Sequence, residues 1–198
     1  VPYPIFLYIG LLPWTLLSSS VSASANSLID NAKLITKIYL PRTVFIQSTL
    51  LAKMVDFFLA TSLLLVLILY FQIPMKISLF WFVPIFFIQT FFTYGLSLLV
   101  ASLNIFYRDI QYLLNFLLMV WMYVTPIIYP PSFFPSDYQW VFRFNPIAVF
   151  ITAYRTVILE GSSPNFMDLG LSLVTSGFIY CIAITVFKKL DGRFADAL

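Results

Sequence analysis

The side chains that could carry out chemistry are sparse in this sequence. It has no histidine and a single cysteine, Cys181, so no imidazole base, no disulfide within the chain and no Cys/His metal site can form. Lys53 and Asp56 stand three residues apart at the edge of an apolar run, where mutual charge pairing is a better explanation than a proton relay. Phosphate-loop, HExxH and GxSxG motifs are all missing. We therefore predict no catalytic residue, no metal and no cofactor in this chain, and expect a separate partner to supply any energy.

Composition places these side chains in a membrane. The 198 residues are 61% hydrophobic and 10% charged, with a mean hydropathy of +0.96, whereas soluble domains carry about 25% charged residues. This excludes a soluble enzyme, a disulfide-stapled secreted domain and a nucleic-acid binder. Five charge-free stretches approach the ~20 residues that cross a bilayer, and they predict spans at about 5–27, 54–73, 80–102, 112–129 and 169–187. The predicted fold class is all-α, a polytopic helix bundle forming one transmembrane domain over 1–198.

The basic residues orient this bundle. Eight of the 11 fall in the loops after the first and third spans and after the last one, so these loops are predicted to be cytoplasmic. They are Lys33, Lys37, Arg42, Lys53, Arg108, Lys188, Lys189 and Arg193. The chain then starts outside without a signal peptide. We expect one further span upstream, giving six in the full protein.

A predicted amphipathic helix follows the first span, over residues 28–42. At ~100° per residue, Lys33 and Lys37 share one face, whereas Leu28, Ile35 and Tyr39 share the opposite one. Pro41 ends the helix. Two interpretations stay open: an interfacial helix on anionic lipid, or a docking surface for a soluble partner. The small residues just before it, 18–27, indicate close helix packing inside one subunit, a subunit contact or a substrate path.

The segment between the last two spans does not fit a spanning helix. Three prolines in 125–131 preclude a regular helix there. Asn145 as N-cap, Pro146 at the first position and Gly161 as the C-terminal stop predict a helix of about 14 residues, ~21 Å long, after a shorter piece over 136–144. A helix of this length is too short to cross the membrane. The two pieces could form either a re-entrant hairpin or a flat interfacial cap. The aromatic residues of these pieces are Trp140, Phe144, Phe150 and Tyr154.

Across all 198 residues the sequence resembles the membrane permease subunits of type-2 ABC (ABC-2) exporters, in particular those for O-antigen, related lipopolysaccharide chains or teichoic acids. The matching segments are YIGLLPW (8–14), NAKLITKIYLPR (31–42), LNIFYRDI (103–110), PIIYP (126–130), NP (145–146) and RFAD (193–196). Their order and spacing carry the resemblance. The family also has an N-terminal cytoplasmic helix and a first span before the part represented here, in agreement with the charge argument.

The resemblance implies an assembly in the bacterial cytoplasmic (inner) membrane. Two permease copies and two ATP-binding cassette subunits would move a polyprenyl-linked polysaccharide through a channel between the permeases, with ATP and Mg bound by the partner. The chain itself would not be an enzyme, and its other contacts would be membrane lipid and no nucleic acid. Coupling to the ATPase is then assigned to Asn31, Lys33, Ile35, Lys37, Tyr39 and Arg42. Extracytoplasmic gate helices are assigned to residues 132–161, with Trp140, Pro146, Tyr154 and Gly161.

Aromatic residues are candidates for the lining of such a channel. Tyr and Trp offer an apolar face to a sugar ring and a polar edge to its hydroxyls. Most of the 38 aromatic residues must face lipid or core, and the candidates chosen are Trp14, Trp121, Tyr123 and Tyr129. Two other classes stay open: an ABC-2 exporter of a lipid or drug, and a membrane enzyme or scaffold with no ATPase. Co-purification with an ATP-binding subunit separates these from each other.

Overall fold

A computed structural model describes residues 2–35, 37, 40–74, 76–130, 133 and 140–192. Within these ranges the chain is helical and contains no strand. The helices are α1 (Tyr3–Asp30), α2 (Ala32–Ile35), α3 (Thr43–Tyr70), α4 (Phe82–Asn104), α5 (Ile110–Val124), α6 (Trp140–Phe144), α7 (Pro146–Arg155) and α8 (Phe166–Asp191). A 3₁₀ helix, Ile77–Trp81, leads into α4, and a π-helical turn, Thr156–Glu160, follows α7. The predicted all-α bundle is confirmed.

Four helical segments in the described ranges are long and apolar enough to cross a membrane. They are α1 and α3, the 3₁₀ helix continued by α4, and α8, with 26 to 28 residues each. The fourth predicted span, 112–129, is shorter than expected, because α5 has 15 residues and reaches only ~22 Å of the ~30 Å hydrocarbon core. Thr125 is already extended, with φ −89° and ψ 136°, as expected before a proline.

Helices α1 and α4 form the centre of the bundle. Helix α4 packs against α1, α3, α5, α7 and α8. Buried amides tie it to α1: Gln89 Nε2 donates to the Pro13 carbonyl at 2.8 Å, and Asn104 Nδ2 donates to the Ala25 carbonyl at 2.9 Å. Gly95 lets α4 approach α8, since a Cβ there would lie 3.2 Å from the Tyr180 amide nitrogen. These two side-chain hydrogen bonds fix the register of α1 against α4.

Helices α3 and α8 present apolar side chains outward. Leu59 and Leu69 of α3 are 66% exposed, and Val174 and Phe178 of α8 are exposed to a similar extent. Such residues are stable only against lipid or another apolar surface. Helix α3 starts at Thr43, well before the predicted start at residue 54.

The predicted pairing of Lys53 with Asp56 is confirmed. Lys53 Nζ lies 2.9 Å from Asp56 Oδ2, and the pair follows the first two and a half turns of α3. From Lys53 to Tyr70, α3 extends ~27 Å, close to the ~30 Å thickness of the hydrocarbon core. The ion pair therefore marks the predicted cytoplasmic boundary of that span rather than a relay inside it.

Candidate functional site

A groove with both polar and apolar side chains lies between α1 and α5. It has a volume of about 420 Å³ and is open along the surface of the bundle. Its lining comes from one face of each helix: Trp14, Thr15, Ser18, Ser19 and Ser22 of α1, and Asn115, Leu118, Met119 and Met122 of α5. Residues 14 to 22 occupy the middle of the 28-residue α1, so the groove lies within the depth of the hydrocarbon core.

Hydroxyl and amide groups give this groove its chemistry. Ser18 and Ser19 donate to the carbonyls of Trp14 and Thr15 one turn earlier, which leaves their oxygens able to accept further bonds. Ser22 Oγ reaches Asn115 Oδ1 at 3.4 Å across the groove. Most of the accessible surface of the groove is nevertheless apolar, so these polar groups lie among the side chains of Trp14, Leu118, Met119 and Met122.

The small residues of α1 serve two different faces. Ser20 and Ser24 have no exposed surface and pack inside the bundle, whereas Ser18, Ser19 and Ser22 line the groove. Close packing inside one subunit, one of the three predicted uses of residues 18–27, is therefore confirmed for the buried face.

The four aromatic residues chosen from the sequence fall into two pairs. Trp14 and Trp121 pack edge to face at 6.3 Å, and Phe92 continues this contact to Phe150 of α7. Trp14 is 5% exposed and forms the floor of the groove, so its face is buried in the core.

The second pair lies at the outer end of α5. Tyr123 is 65% exposed, and the Tyr129 hydroxyl donates to the Tyr123 carbonyl at 2.9 Å. The structure therefore brings only Trp14 of the four to the groove lining.

The short helix α7 is inserted into the bundle. Its residues Ile147, Phe150 and Ile151 are fully buried, Tyr154 is 1% exposed, and the helix packs against α1, α4 and α8. Helix α7 is therefore packed among the long helices rather than on the surface of the bundle. Helix α6 differs, because its residues Trp140 and Phe144 are 58% and 67% exposed. Residues 136–139 of the predicted shorter piece lie outside the described residues.

Both predicted ends of the longer outer helix are confirmed. Pro146 occupies the first turn of α7, and Gly161 follows the π-helical turn with φ +64°. Asn145 is the N-cap residue of α7, as predicted, but its side chain makes no cap hydrogen bond. Its Nδ2 donates to Thr125 Oγ1 at 3.0 Å, and its Oδ1 accepts from Trp121 Nε1 at 3.1 Å. Asn145 therefore fixes the start of α7 to the end of α5.

Sequence reasoning gave no role to Arg155, which ends α7. Arg155 is 6% exposed and donates to the carbonyls of Pro126 at 2.7 Å and Ile127 at 2.6 Å, just after α5. A third bond reaches the Phe6 carbonyl in α1 at 3.3 Å. The signal in the sequence was a lone arginine inside a predicted outer helix that is otherwise apolar up to Glu160. Both ends of α7 are thus bonded to the same broken end of α5.

A second cavity, of about 380 Å³, lies beside the short outer helices. Its polar lining includes Arg143, Thr152, Asn165 and Asp168, and the indole of Trp140 lies at its edge. Arg143 Nε is 3.9 Å from Asp168 Oδ1. Asn165 caps α8 by accepting from the Met167 amide at 3.0 Å.

At the opposite end, the predicted single helix over 28–42 is wrong in its bounds. Helix α1 continues to Asp30, because Leu28 is fully buried with the bundle core. Asn31 then ends it, its Nδ2 donating to the Ser27 carbonyl at 2.7 Å. Among the described residues between Asn31 and Pro41, Ala32–Ile35 forms the one further helical turn.

The predicted coupling residues lie in that turn and on either side of it. Lys33 and Lys37 are exposed, Ile35 is half-buried, and Tyr39 lies outside the described residues. Arg42 connects the segment to the end of α8, with its Nη1 2.7 Å from Asp191 Oδ1. The same atom also donates to the Asp191 carbonyl.

Together, the long apolar helices, the groove between α1 and α5 and the inserted α7 define a multi-pass membrane protein. The chain belongs to the ABC-2 type transporter family, whose family model matches residues 3–159. The predicted resemblance and the predicted location in a membrane are confirmed. Subunits of this kind are generally not themselves the ATPase.

Two relatives extend the comparison over nearly the whole chain. The chain is 30% identical over 197 residues to the O-antigen export system permease protein RfbA of Klebsiella pneumoniae. It is also 30% identical over 203 residues to the protein of the same name from Myxococcus xanthus. Each match covers 99% of this chain and 76% of the relative.

Proposed function

We propose that this chain is the permease of an ATP-driven exporter that moves lipid-linked polysaccharide, of O-antigen or teichoic-acid type, across the bacterial cytoplasmic membrane. The observation that carries the proposal is the row of hydroxyl and amide groups in the groove between α1 and α5. A sugar polymer needs hydrogen-bonding partners at a depth where lipid offers none. The serine hydroxyls of α1 and the amide of Asn115 are partners of that kind. The names of the two relatives support the polysaccharide substrate.

A second copy of the chain completes the path in this proposal. The groove is open, and the neighbouring face of α5 exposes Tyr112, Phe116, Met119 and Tyr123 by more than half of each side chain. Tyrosines fit both an apolar helix contact and a sugar ring. A homodimer that meets along α5 would close the groove into a channel, while separate ATP-binding subunits hydrolyse ATP below it.

Blocking the groove tests the path. In the complete protein, Ser22→Leu and Asn115→Leu replace polar groups by apolar volume and should lower polysaccharide at the cell surface at least ~10-fold, a barrier change of ~1.4 kcal/mol. Ser62→Leu is the matched control, because Ser62 is exposed on α3, away from the groove. Membrane level and ATPase recovery on the tagged permease are measured in parallel.

The outcomes separate the function classes. Loss of surface polysaccharide in the groove variants alone, at normal membrane level, supports the proposal. Normal export in both groove variants would remove the groove from the path. Normal surface polysaccharide in a strain that lacks the permease, together with loss of a lipid or drug efflux activity, would favour an exporter of small molecules instead.

A further inference from the structure

Among the described residues, Arg155 is the one buried arginine, and its partners are unusual. Among the described residues it forms no ion pair with a carboxylate. Its guanidinium instead donates to the carbonyls of Pro126, Ile127 and Phe6, and its Cζ lies 3.6 Å from the centre of the Phe6 ring. A buried charge inside a membrane protein is costly, and it persists where its location matters.

The backbone that Arg155 satisfies is the broken outer end of α5. Helix α5 spans only ~22 Å, so the non-helical residues that follow Val124 are expected within the remaining depth of the membrane. Non-helical carbonyls at that depth need partners supplied by protein or water. The planar fork of an arginine can serve two neighbouring carbonyls at once, which an ammonium group cannot do with the same geometry.

Gly10 makes room for this arrangement. A Cβ atom on Gly10 would lie 2.7 Å from Arg155 Nη2 and 3.1 Å from the Ile127 carbonyl oxygen. Gly10 is buried in the middle of an α1 turn, where alanine would otherwise be the better helix former. The Tyr3 hydroxyl adds another bond between the two segments, donating to the Ile128 carbonyl at 3.1 Å. The outer ends of α1, α5 and α7 therefore meet at one point.

We propose that Arg155 is a positioning residue that holds these three outer ends in the closed arrangement of the exit. This proposal extends the proposed function, and it depends on that function only in treating the three outer ends as the exit of the transport path. Because the partners of Arg155 are carbonyls, water that enters an opened lumen can take their place. Closure then depends on the arginine fork and on the space left by Gly10.

Labelling of a single cysteine tests the closed arrangement without any export assay. The complete protein carries Ile128→Cys in a Cys181→Ser background and is placed in lipid nanodiscs with a water-soluble maleimide. Ile128 is 40% exposed, so its labelling rate can rise when the outer end of α5 opens. Arg155→Gln, Arg155→Lys and Gly10→Ala should each raise this rate about tenfold, which corresponds to ~1.4 kcal/mol of local opening. Arg143→Gln, at an exposed arginine of α6, is the matched control and should leave the rate unchanged.

The double variant tests most directly whether Gly10 and Arg155 act in the same arrangement. Gly10→Ala combined with Arg155→Gln should label no faster than Arg155→Gln alone, because both changes break one arrangement. Additive rates, or labelling of Arg155→Gln and Gly10→Ala at the wild-type rate, would overturn the proposal. Wild-type labelling in Arg155→Lys would show that charge alone suffices and would overturn the role of the fork. Loss of all three single variants from the membrane, with Arg143→Gln retained, would assign Arg155 to folding and equally overturn it. Each result stands whatever substrate the protein exports.

Discussion

Asn145 accepts a hydrogen bond from the indole Nε1 of Trp121 at 3.1 Å, and this bond joins the start of α7 to the last turn of α5. The same side chain donates to Thr125 Oγ1, so it serves both as acceptor and as donor. Arg155 joins the other end of α7 to the residues that follow Thr125. The inserted helix is thus fixed at both ends to the point where α5 stops.

Substitutions at Asn145 should show a graded loss of stability. Asn145→Asp keeps an acceptor for Trp121 and loses the donor to Thr125, whereas Asn145→Ala loses both. A part-buried bond that is left unmade costs ~1–3 kcal/mol, so we expect the alanine variant to be the less stable of the two at a pH low enough to protonate the aspartate, since a charge at this place would itself be costly. Thermal unfolding of the protein in detergent measures this. Asn165→Ala is the control, because Asn165 is an ordinary N-cap worth ~1 kcal/mol. An aspartate variant as unstable as the alanine variant would contradict the acceptor role.

The helix ends in this region could be predicted from the sequence by rules that depend only on neighbouring residues. Thr125 stands before a proline, Pro146 suits a first turn and Gly161 suits a left-handed stop, and each property depends only on immediate neighbours. The partners of Asn145 and Arg155 could not be predicted this way. Arg155 bonds to residues 28, 29 and 149 positions away, and only the packing of α7 brings them together.

The same limit applies to the candidate groove and to the coupling segment. The period of α1 marks Ser20 and Ser24 as one row, yet only packing shows that this row is buried and that Ser18 and Ser22 are not. Leu28 has the spacing of an amphipathic helix with Ile35. It stays with α1 because Ile46, Leu98 and Ala101 cover it.

Gly161 should be intolerant of a side chain. Its φ of +64° costs an L residue ~1–2 kcal/mol, and a Cβ would also meet the side chain of Lys76, which donates to the Glu160 carbonyl at 3.0 Å. Gly161→Ala should therefore reduce thermal stability and, more strongly, export. Gly170→Ala is the control, because nothing lies within 4 Å of a Cβ there and alanine favours the helix. Equal stability of both variants would contradict the strain argument.

The contact between Arg42 and Asp191 should connect the coupling segment to α8. Arg42 pairs with the carboxylate and also bonds the last carbonyl of the helix, where a positive charge is favourable. Arg42→Glu should lower ATPase recovery on the permease and cost ~1 kcal/mol of stability, since exposed pairs contribute little. Adding Asp191→Arg should restore the pairing but not the carbonyl bond.

Partial rescue is therefore the expected result for that pair, read from ATPase recovery and from the melting temperature. Arg108→Glu, at an exposed residue of the loop between α4 and α5, should leave both unchanged. No rescue by the double change, with Arg42→Glu still defective, would show that Arg42 acts through other contacts than Asp191.

The last prediction concerns the turn Ala32–Ile35 and separates its two interpretations. The Ile35 amide donates to the Asn31 carbonyl at 3.0 Å, and proline at position 35 removes this bond from a helix that has only one turn. If the segment docks into an ATPase, Ile35→Pro should abolish ATPase recovery and surface polysaccharide while the membrane level stays normal. Changing Lys33 and Lys37 to Gln should then do less, since each exposed charge contributes ~0–1 kcal/mol to a contact.

A segment that merely rests on anionic lipid predicts the reverse order. Each lysine near such a surface contributes about 1 kcal/mol, so the double Gln variant would release the segment, whereas Ile35→Pro would keep both charges. Polysaccharide at the cell surface and ATPase recovered on the tagged permease are measured for both variants. Lys53→Gln is the control, because Lys53 already pairs with Asp56 further along α3. Normal export and normal ATPase recovery in Ile35→Pro would eliminate the coupling assignment, since a docking helix cannot work once its only turn is lost.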